Sequence, residues 1–445
     1  MKPGKALMIC YAVAHLSLNS TAQNTPITLK QCVDAAIAKN FDIKLRELNM
    51  DRRHVDWKQG KANLLPTLNA NIGHNANNGR SIDPTTNSYV TQSYTSASYS
   101  LGSDVTLFNG LRLMNTLKSA RYAYDASRAS LQQQKDNITL TVIQTYLDIL
   151  TNVDLLAQAK KQVEVTQKQV DRLEILNQAG SIKPSDLFDM KGNLADNKMS
   201  VTNAQNNLNT SRLTLAQLMN LPYNEEVQLE RLTAEQFSVD YSATSDTIYQ
   251  LALEHMGLVK AVDLLVKSAQ KDVLAAKGAL WPLLTFGGGI DTRFSSTGTD
   301  ATGVKVPYYD QLSNNYFTYF GLNLRIPILN ALRNKHNVEF SKIDLKEMEY
   351  TKETNLIQLK QAIERDHNNL EATKSRYLAL VDQVAAYVEN FRAAEIRFNE
   401  GASNSVDYLI AKNKLDAANL NLIIARYDYV VRTKILDYYQ GKMMY

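Results

Sequence analysis

Two stretches of this chain, Leu111 to Ala179 and Leu332 to Glu400, each run 69 residues without a single Gly or Pro. Helices of globular domains seldom exceed about 25 residues, so uninterrupted runs of this length predict rods. At a rise of about 1.5 Å per residue each rod would reach about 100 Å, roughly three times the hydrocarbon thickness of a bilayer. Both runs are rich in Lys, Asp, Glu, Gln and Asn, which excludes burial in lipid.

The two runs begin 221 residues apart (332 − 111), and the correspondence extends beyond them. Asn109 answers Asn330, Leu111-Arg112 answers Leu332-Arg333, Gly180 answers Gly401 and Asp186 answers Asp407. Nearer the N-terminus the offset is 216 (252 − 36), where Ala36-Ile37 answers Ala252-Leu253 and Leu65-Pro66 answers Trp281-Pro282. An offset held over so long a stretch marks the tandem duplication of a domain-sized unit. The first repeat is expected over 23–220, with a helix, a β-hairpin near 66–108 and a helical hairpin near 110–220. A connector, 221–247, opens with Leu221-Pro222-Tyr223 and has few periodic apolar residues. The second repeat is expected over 248–445, with its β-hairpin near 282–328 and its helical hairpin near 330–440.

Residues 1–22 read as a secretory signal: Lys2 and Lys5 give the positive end, Ala6 to Leu18 the apolar core, and Ser20-Thr21-Ala22 the cleavage site. No later segment approaches 18 uninterrupted apolar residues, so no membrane-spanning helix is expected. Cys10 lies in the signal without a lipobox, and Cys32 is then the one cysteine left, which excludes an intrachain disulfide and suits a small apolar helix position. The charge balance is close to neutral, with 49 basic against 45 acidic residues, so no basic stripe for nucleic acid is expected.

Between the first helix and the rod of each repeat the period changes to two. Leu68, Ala70 and Ile72 alternate with polar neighbours, as do Tyr99, Leu101, Val105 and Leu107. The second repeat gives Leu284, Phe286 and Ile290, then Tyr316, Phe320, Leu322, Leu324, Ile326 and Ile328. This pattern predicts four strands, each with one apolar and one polar face, joined in pairs by polar loops over His74–Ala97 and Asp291–Asn315. Gly287-Gly288-Gly289 falls inside a strand and reads as room for a crowded lumen. Tyr94, Tyr99, Tyr308, Tyr309, Tyr316 and Tyr319 would suit an interfacial belt. Apolar-out, polar-in strands on a secreted chain are what a transmembrane β-barrel requires. Four strands cannot close a barrel, and an open edge in lipid leaves backbone groups unpaired at several kcal/mol each, so the chain must oligomerise. Two copies would give eight strands and a filled interior, three copies twelve and an open lumen, which favours a trimer.

After Gly180, Leu187, Met190, Leu194, Asn197, Val201, Ala204, Leu208, Ser211, Leu215 and Leu218 follow at spacings of three and four. Tyr408, Ala411, Leu415, Ala418, Leu422, Ala425, Tyr429, Arg432, Leu436 and Tyr439 keep that register in the second repeat. Each rod therefore turns back at Gly180 or Gly401 to form a long antiparallel hairpin along a coiled-coil seam.

These features together resemble the TolC-like outer-membrane efflux protein family over essentially the whole mature chain. The resemblance rests on the duplication, Leu65-Pro66 and Trp281-Pro282 entering strands, Ile326-Pro327-Ile328-Leu329-Asn330 leaving one, and the tips Gly180–Asp186 and Gly401–Asp407. It implies an α+β fold: a homotrimeric, 12-stranded outer-membrane β-barrel, four strands per chain, continuous with a long periplasmic α-helical barrel. It also implies the outer membrane of a Gram-negative bacterium, with a periplasmic adaptor and an inner-membrane pump as partners. The tips, at Gly180, Ser181, Gly401 and Ala402, would contact the adaptor. An acidic pore constriction would use Asp186 and Asp189 from Asp186-Leu187-Phe188-Asp189, and Asp407, whose second carboxylate is replaced by Ile410. From the residues alone, Asp186 and Asp407 equally suit helix capping, and both roles can coexist. Thr106 and Ala331 depart from the family's strand-end proline and turn glycine, which bears on local turn geometry.

His54, His74, His255, His336 and His367 form no His-x-x-x-His pair, and no nucleophile elbow, P-loop or cysteine cluster is present. No enzyme, cofactor or metal site is expected. An export duct and a structural periplasmic scaffold anchored by the β segment are the two readings left, and duplicated strand hairpins favour the duct.

Overall fold

A computed structural model describes residues 26–82, 87–91, 93–224, 228–232 and 241–442; the expected signal segment, with Cys10, lies outside them. The first repeat opens with α1 (Leu29–Lys39) and α2 (Phe41–Ala62). It continues through β1 (Thr67–Asn77), a short ribbon of β2 (Ser81–Ile82) and β3 (Tyr89–Val90), and β4 (Tyr94–Phe108). It ends in α3 (Arg112–Gln178) and α4 (Pro184–Leu218). The second repeat has α5 (Ser245–His255), α6 (Gly257–Gly278), β5 (Leu283–Ser295), α7 (Tyr308–Asn314) and β6 (Phe317–Arg325), then α8 (Arg333–Asn399) and α9 (Ser405–Tyr439). α3 and α8 are 67 residues each, and α4 and α9 are 35 each.

Where one helix precedes each strand pair in the sequence reading, the structure has two. The break falls at Asn40, whose extended backbone ends α1 while its side chain accepts from the Asp42 and Ile43 amides and caps α2. Its Nδ2 donates to the Leu218 carbonyl, 3.1 Å away, tying the break to the end of α4. α5 starts at Ser245, inside the expected connector, because Thr244 caps it through the Thr247 amide.

The four long strands form one antiparallel sheet in the order β1-β4-β5-β6, so β1 and β6 are its open edges. Register puts Leu68, Ala70 and Ile72 opposite Ser103, Leu101 and Tyr99, and Leu101 and Val105 opposite Ile290 and Phe286. Phe286 and Leu284 then face Leu322 and Leu324. Partners across a ladder share a face, so these residues make one apolar surface. Ile72, Phe320 and Leu322 on it are 75%, 83% and 66% exposed. The opposite surface carries Asn69, Asn71, Ser100, Asp104, Thr285, Asp291 and Asn323.

Three strand readings need correction. A bulge between Thr106 and Phe108 sets Leu107 out of the ladder, so the simple alternation ends at Thr106. β6 runs only from Phe317 to Arg325, leaving Tyr316 before it and Ile326 and Ile328 beyond it, where Pro327 cannot donate to a ladder. The tyrosines do not form one belt. Tyr94 is buried with its hydroxyl on the Ile82 carbonyl, Tyr99 and Tyr308 share a hydroxyl contact, and Tyr319 lies on the polar face. Its hydroxyl is 2.9 Å from where a Gly289 Cβ would stand and 3.8 Å from a Gly102 one, so the strand glycines make room for this ring.

At the junction of sheet and helices, Gly110 and Leu111 both adopt the left-handed conformation, and Ala331 and Leu332 repeat it in spite of the missing glycine. Gly110 has a second constraint that Ala331 lacks: a Cβ there would sit 2.4 Å from the Gly278 carbonyl oxygen.

The helices form a wall. Above, α2 packs on α3, α3 on α6 and α6 on α8; below, α4 packs on α3, α3 on α9 and α9 on α8. The main apolar core lies midway, where α1 and α5 dock: Cys32, Val33, Ile43, Val142, Tyr146, Ile248, Ile363 and Leu436 are buried there. Burial pushes the Cys32 thiol up to about 11, which makes it an inert core residue. The connector is strapped to this level. Ile27 bridges Leu229, and Arg231 and Arg426 reach Asp154 at 2.9 and 2.7 Å. Along the seam the apolar positions Leu187, Met190, Leu194, Leu208 and Leu215 are buried against α3. The polar positions are paired: Asn197 donates to Thr166 and Ser211 accepts from Asn152.

The two faces of the sheet should respond oppositely to charge. Phe320→Arg is expected to cost about 2–4 kcal/mol when the protein folds into lipid bilayers, while Asn71→Arg on the other face should cost little. Urea titrations of bilayer-inserted protein measure both.

Candidate functional site

The hairpins end in matching tips. At the first, the Gly180 amide donates to the Asn177 carbonyl and the Ser181 amide to the Leu176 carbonyl. At the second, the Gly401 amide donates to Phe398 and the Ala402 amide to Arg397. This double closure uses a left-handed residue, and the glycines have φ of +69° and +71°. Beyond its two chain neighbours, nothing lies within 4 Å of where either glycine's Cβ would be, so both tips are open to approach.

The helices that follow start differently. α4 starts with Pro184 in its first turn and no side-chain cap, whereas Asn404 caps α9 by accepting from the Asp407 amide at 2.9 Å. Neither Asp186 nor Asp407 is therefore the capping residue; each sits in the first helical turn, where its charge opposes the helix dipole. Asp407 is exposed and accepts from the Ser403 hydroxyl at 3.1 Å, and Ile410 one turn on is half exposed.

Asp186 and Asp189 are brought together, but not with Asp407. Both converge on Ser405, which is 1% exposed: its Oγ is 2.8 Å from Asp186 Oδ1 and 3.0 Å from Asp189 Oδ2. A hydroxyl has one proton, so the two carboxylates of the first hairpin share a single donor from the second. Arg172 makes the other tie, donating Nη2 to the Asn399 carbonyl at 3.0 Å. Beneath the tips a small apolar cluster of Val170, Leu173, Leu187, Met190, Leu194 and Tyr408 fixes the two hairpins side by side. Burial, with Glu395 and Asp416 nearby, raises the Tyr408 hydroxyl's pKa, so it stays protonated. Between the tips lies an open groove of about 1100 Å³ whose charged lining is Arg172, Lys183, Asp186, Asp189, Glu400 and Asp407, an excess of carboxylates.

Sequence reasoning missed Ser405 and Arg172. Ser405 occupies the position of Pro184 in the first repeat, so the duplication offered no matching hydroxyl to draw attention to it. His54, Trp57 and Tyr124 pack as a cluster of three rings, and His367 Nε2 lies 3.1 Å from the Ala243 carbonyl. Among the described residues no group of three or more His, Cys, Asp or Glu side chains is placed to hold a metal ion.

Removing the shared donor tests the tie between hairpins. Ser405→Ala is expected to cost about 1–3 kcal/mol locally by leaving both carboxylates without it. Hydrogen exchange should then quicken over 184–190 and not around Tyr146.

The sequence pattern of the outer membrane efflux protein family matches residues 32–221 and 248–439, one match per repeat. The chain is 23% identical to outer membrane protein TolC of Escherichia coli over 434 residues, covering 97% of this chain and 85% of that one. It is 22% identical to toxin and drug export protein A of Aggregatibacter actinomycetemcomitans, covering 93% and 87%. The fold superposes on the outer membrane protein VceC of Vibrio cholerae with a TM-score of 0.80 at 14% identity, covering 94% of this chain and 97% of that one. Two repeats, four strands and two helical hairpins thus coincide with one family pattern, and the scaffold alternative falls away. The chain belongs to the outer membrane efflux protein family: it is an outer-membrane channel subunit and not an enzyme.

Proposed function

We propose that three copies close side by side into a 12-stranded barrel continuous with a helical tunnel, forming the exit duct of a tripartite assembly. In that assembly a periplasmic adaptor docks at the tips and an inner-membrane pump delivers the cargo. The observation that carries this reading is the pair of open flanks. β1 and α2 end the wall on one side, β6 and α8 on the other. Both flanks are apolar: Phe41, Leu45 and Val55 on α2 are exposed, as are Phe340, Ile343 and Ile357 on α8. Joining β6 of one copy to β1 of the next pairs the backbone groups of both edges and covers both helical flanks in the same step. Native mass spectrometry of detergent-extracted protein should show three copies; a stable closed monomer would sink the reading.

The tips Gly180, Ser181, Gly401 and Ala402 form the adaptor surface, being exposed and farthest from the sheet. Exposed Ile175, Phe188 and Val406 add an apolar contact beside them. Bulky replacement of Gly180 and Gly401 together strains both left-handed turns by about 1–2 kcal/mol each. That double variant should lose export while still forming trimers, and unimpaired export counts against the docking role.

Asp407 repeated three times around the axis gives an exposed acidic ring, which favours cations. Asp186 and Asp189 are held by hydrogen bonds to the buried Ser405 between the hairpins and contribute less. Asp407→Ala should therefore lower cation selectivity in planar-bilayer recordings more than Asp186→Ala does. Unchanged selectivity in both variants would place the constriction elsewhere.

A further inference from the structure

The charge of this chain is segregated along its length in a way the duct does not require. No Asp or Glu occurs in 57–82, 105–124, 273–290 or 311–338. These four windows contain the ends of the strands nearest the helices and the helical turns next to them. The basic residues in those turns are plentiful. α2 ends with Lys58 and Lys61, and α3 opens with Arg112 and Lys118. α6 ends with Lys277, and α8 opens with Arg333 and Lys335. All seven are exposed, and among the described residues none has a carboxylate within ion-pair distance. The whole chain carries a formal charge of only +4, so this single level holds more positive charge than the net of the entire molecule.

The level is also where the apolar surface of the sheet ends. Leu65, Trp281, Ile326, Ile328 and Leu329 are exposed there, from 57% to 91%. Lys61 lies over the Trp57 ring, its Nζ 3.6 Å from the centroid, an arrangement that keeps the ammonium at the edge of apolar surface. Long basic side chains beside exposed tryptophan and aliphatic groups are the chemistry of a lipid headgroup boundary. Because the helices leave the sheet on this side, the boundary is the one facing the periplasm.

We propose that these residues form a collar that binds the phosphate-bearing headgroups of anionic phospholipids in the periplasm-facing leaflet. The proposal rests on the placement of the sheet in the outer membrane. Three copies repeat the collar around the barrel, so headgroups are held as a ring of shared counterions.

The test uses the full mature chain in nanodiscs of phosphatidylcholine with phosphatidylglycerol as about a fifth of the lipid, where retained lipid is quantified after detergent extraction. Phosphatidylglycerol should be enriched about threefold over its bulk fraction, and high salt should reduce the enrichment. The combined variant Lys58→Gln, Lys61→Gln, Lys277→Gln and Lys335→Gln should abolish it. Should that variant fail to assemble, Lys61→Gln and Lys277→Gln singly, which keep most of the aliphatic stem, should each lower it. Conductance of the same preparations reports separately whether the channel has formed. Normal conductance without enrichment, or enrichment indifferent to these substitutions, overturns the collar. Displacement of the lipid by inorganic phosphate at matched concentration assigns the residues to a free anion and overturns it as well.

Discussion

The backbone hydrogen bonds of β1 and β6 are the constraint on which the rest of the structure depends. Inside lipid there is no water to satisfy an open edge, and each unpaired group costs several kcal/mol. A sheet of four strands with both edges bare is therefore an incomplete object. The helical wall inherits the same incompleteness, because α2 and α8 are bound to the sheet edges through junctions only a few residues long. One association step satisfies backbone polarity in the membrane and apolar surface in the periplasm, two requirements of unlike physical origin.

The wall is a different compromise. A layer one helix thick cannot enclose a continuous core, and its buried apolar residues gather at the middle and beneath the tips. Between these clusters the seam alternates apolar with paired polar positions, Asn197 with Thr166 and Asn152 with Ser211. Hydrogen-bonded seam positions give modest stability but fix register, since a shifted helix would leave them unpaired. Register matters here because α3 is about 100 Å long and small errors would accumulate along it.

Most of this architecture was legible in the sequence because it rests on long, strictly periodic patterns. The rods appear as glycine- and proline-free runs, the strands as period two, and the hairpins as a seam in register, each seen twice through the duplication. The unread parts depend on contacts between distant residues. The helix break at Asn40 is fixed partly by the Leu218 carbonyl, 178 positions away, and carries no local glycine or proline. Tyr94 and Tyr308 were absorbed into loop packing, with Gln311 buried between the Ser295 and Val306 backbones, which composition cannot reveal. At the tips, Asp186, Asp189 and Asp407 were legible as acidic positions. Their partition into a Ser405-bound pair and a separate exposed residue was not, because it depends on how two hairpins lie against each other.

The paired left-handed residues at Gly110-Leu111 and Ala331-Leu332 make each passage from sheet to helix an abrupt corner with little slack. Gly110 is wedged against the Gly278 backbone, so the first of these corners cannot swivel freely. Mechanically, the helices below behave as cantilevers clamped at the membrane. For a beam of this length a total bend of about 6° spread evenly along it carries the free end about 5 Å, more than the width of a water molecule. Small elastic bends distributed along α3 and α8 are thus enough to change the aperture at the far end, while the sheet stays still.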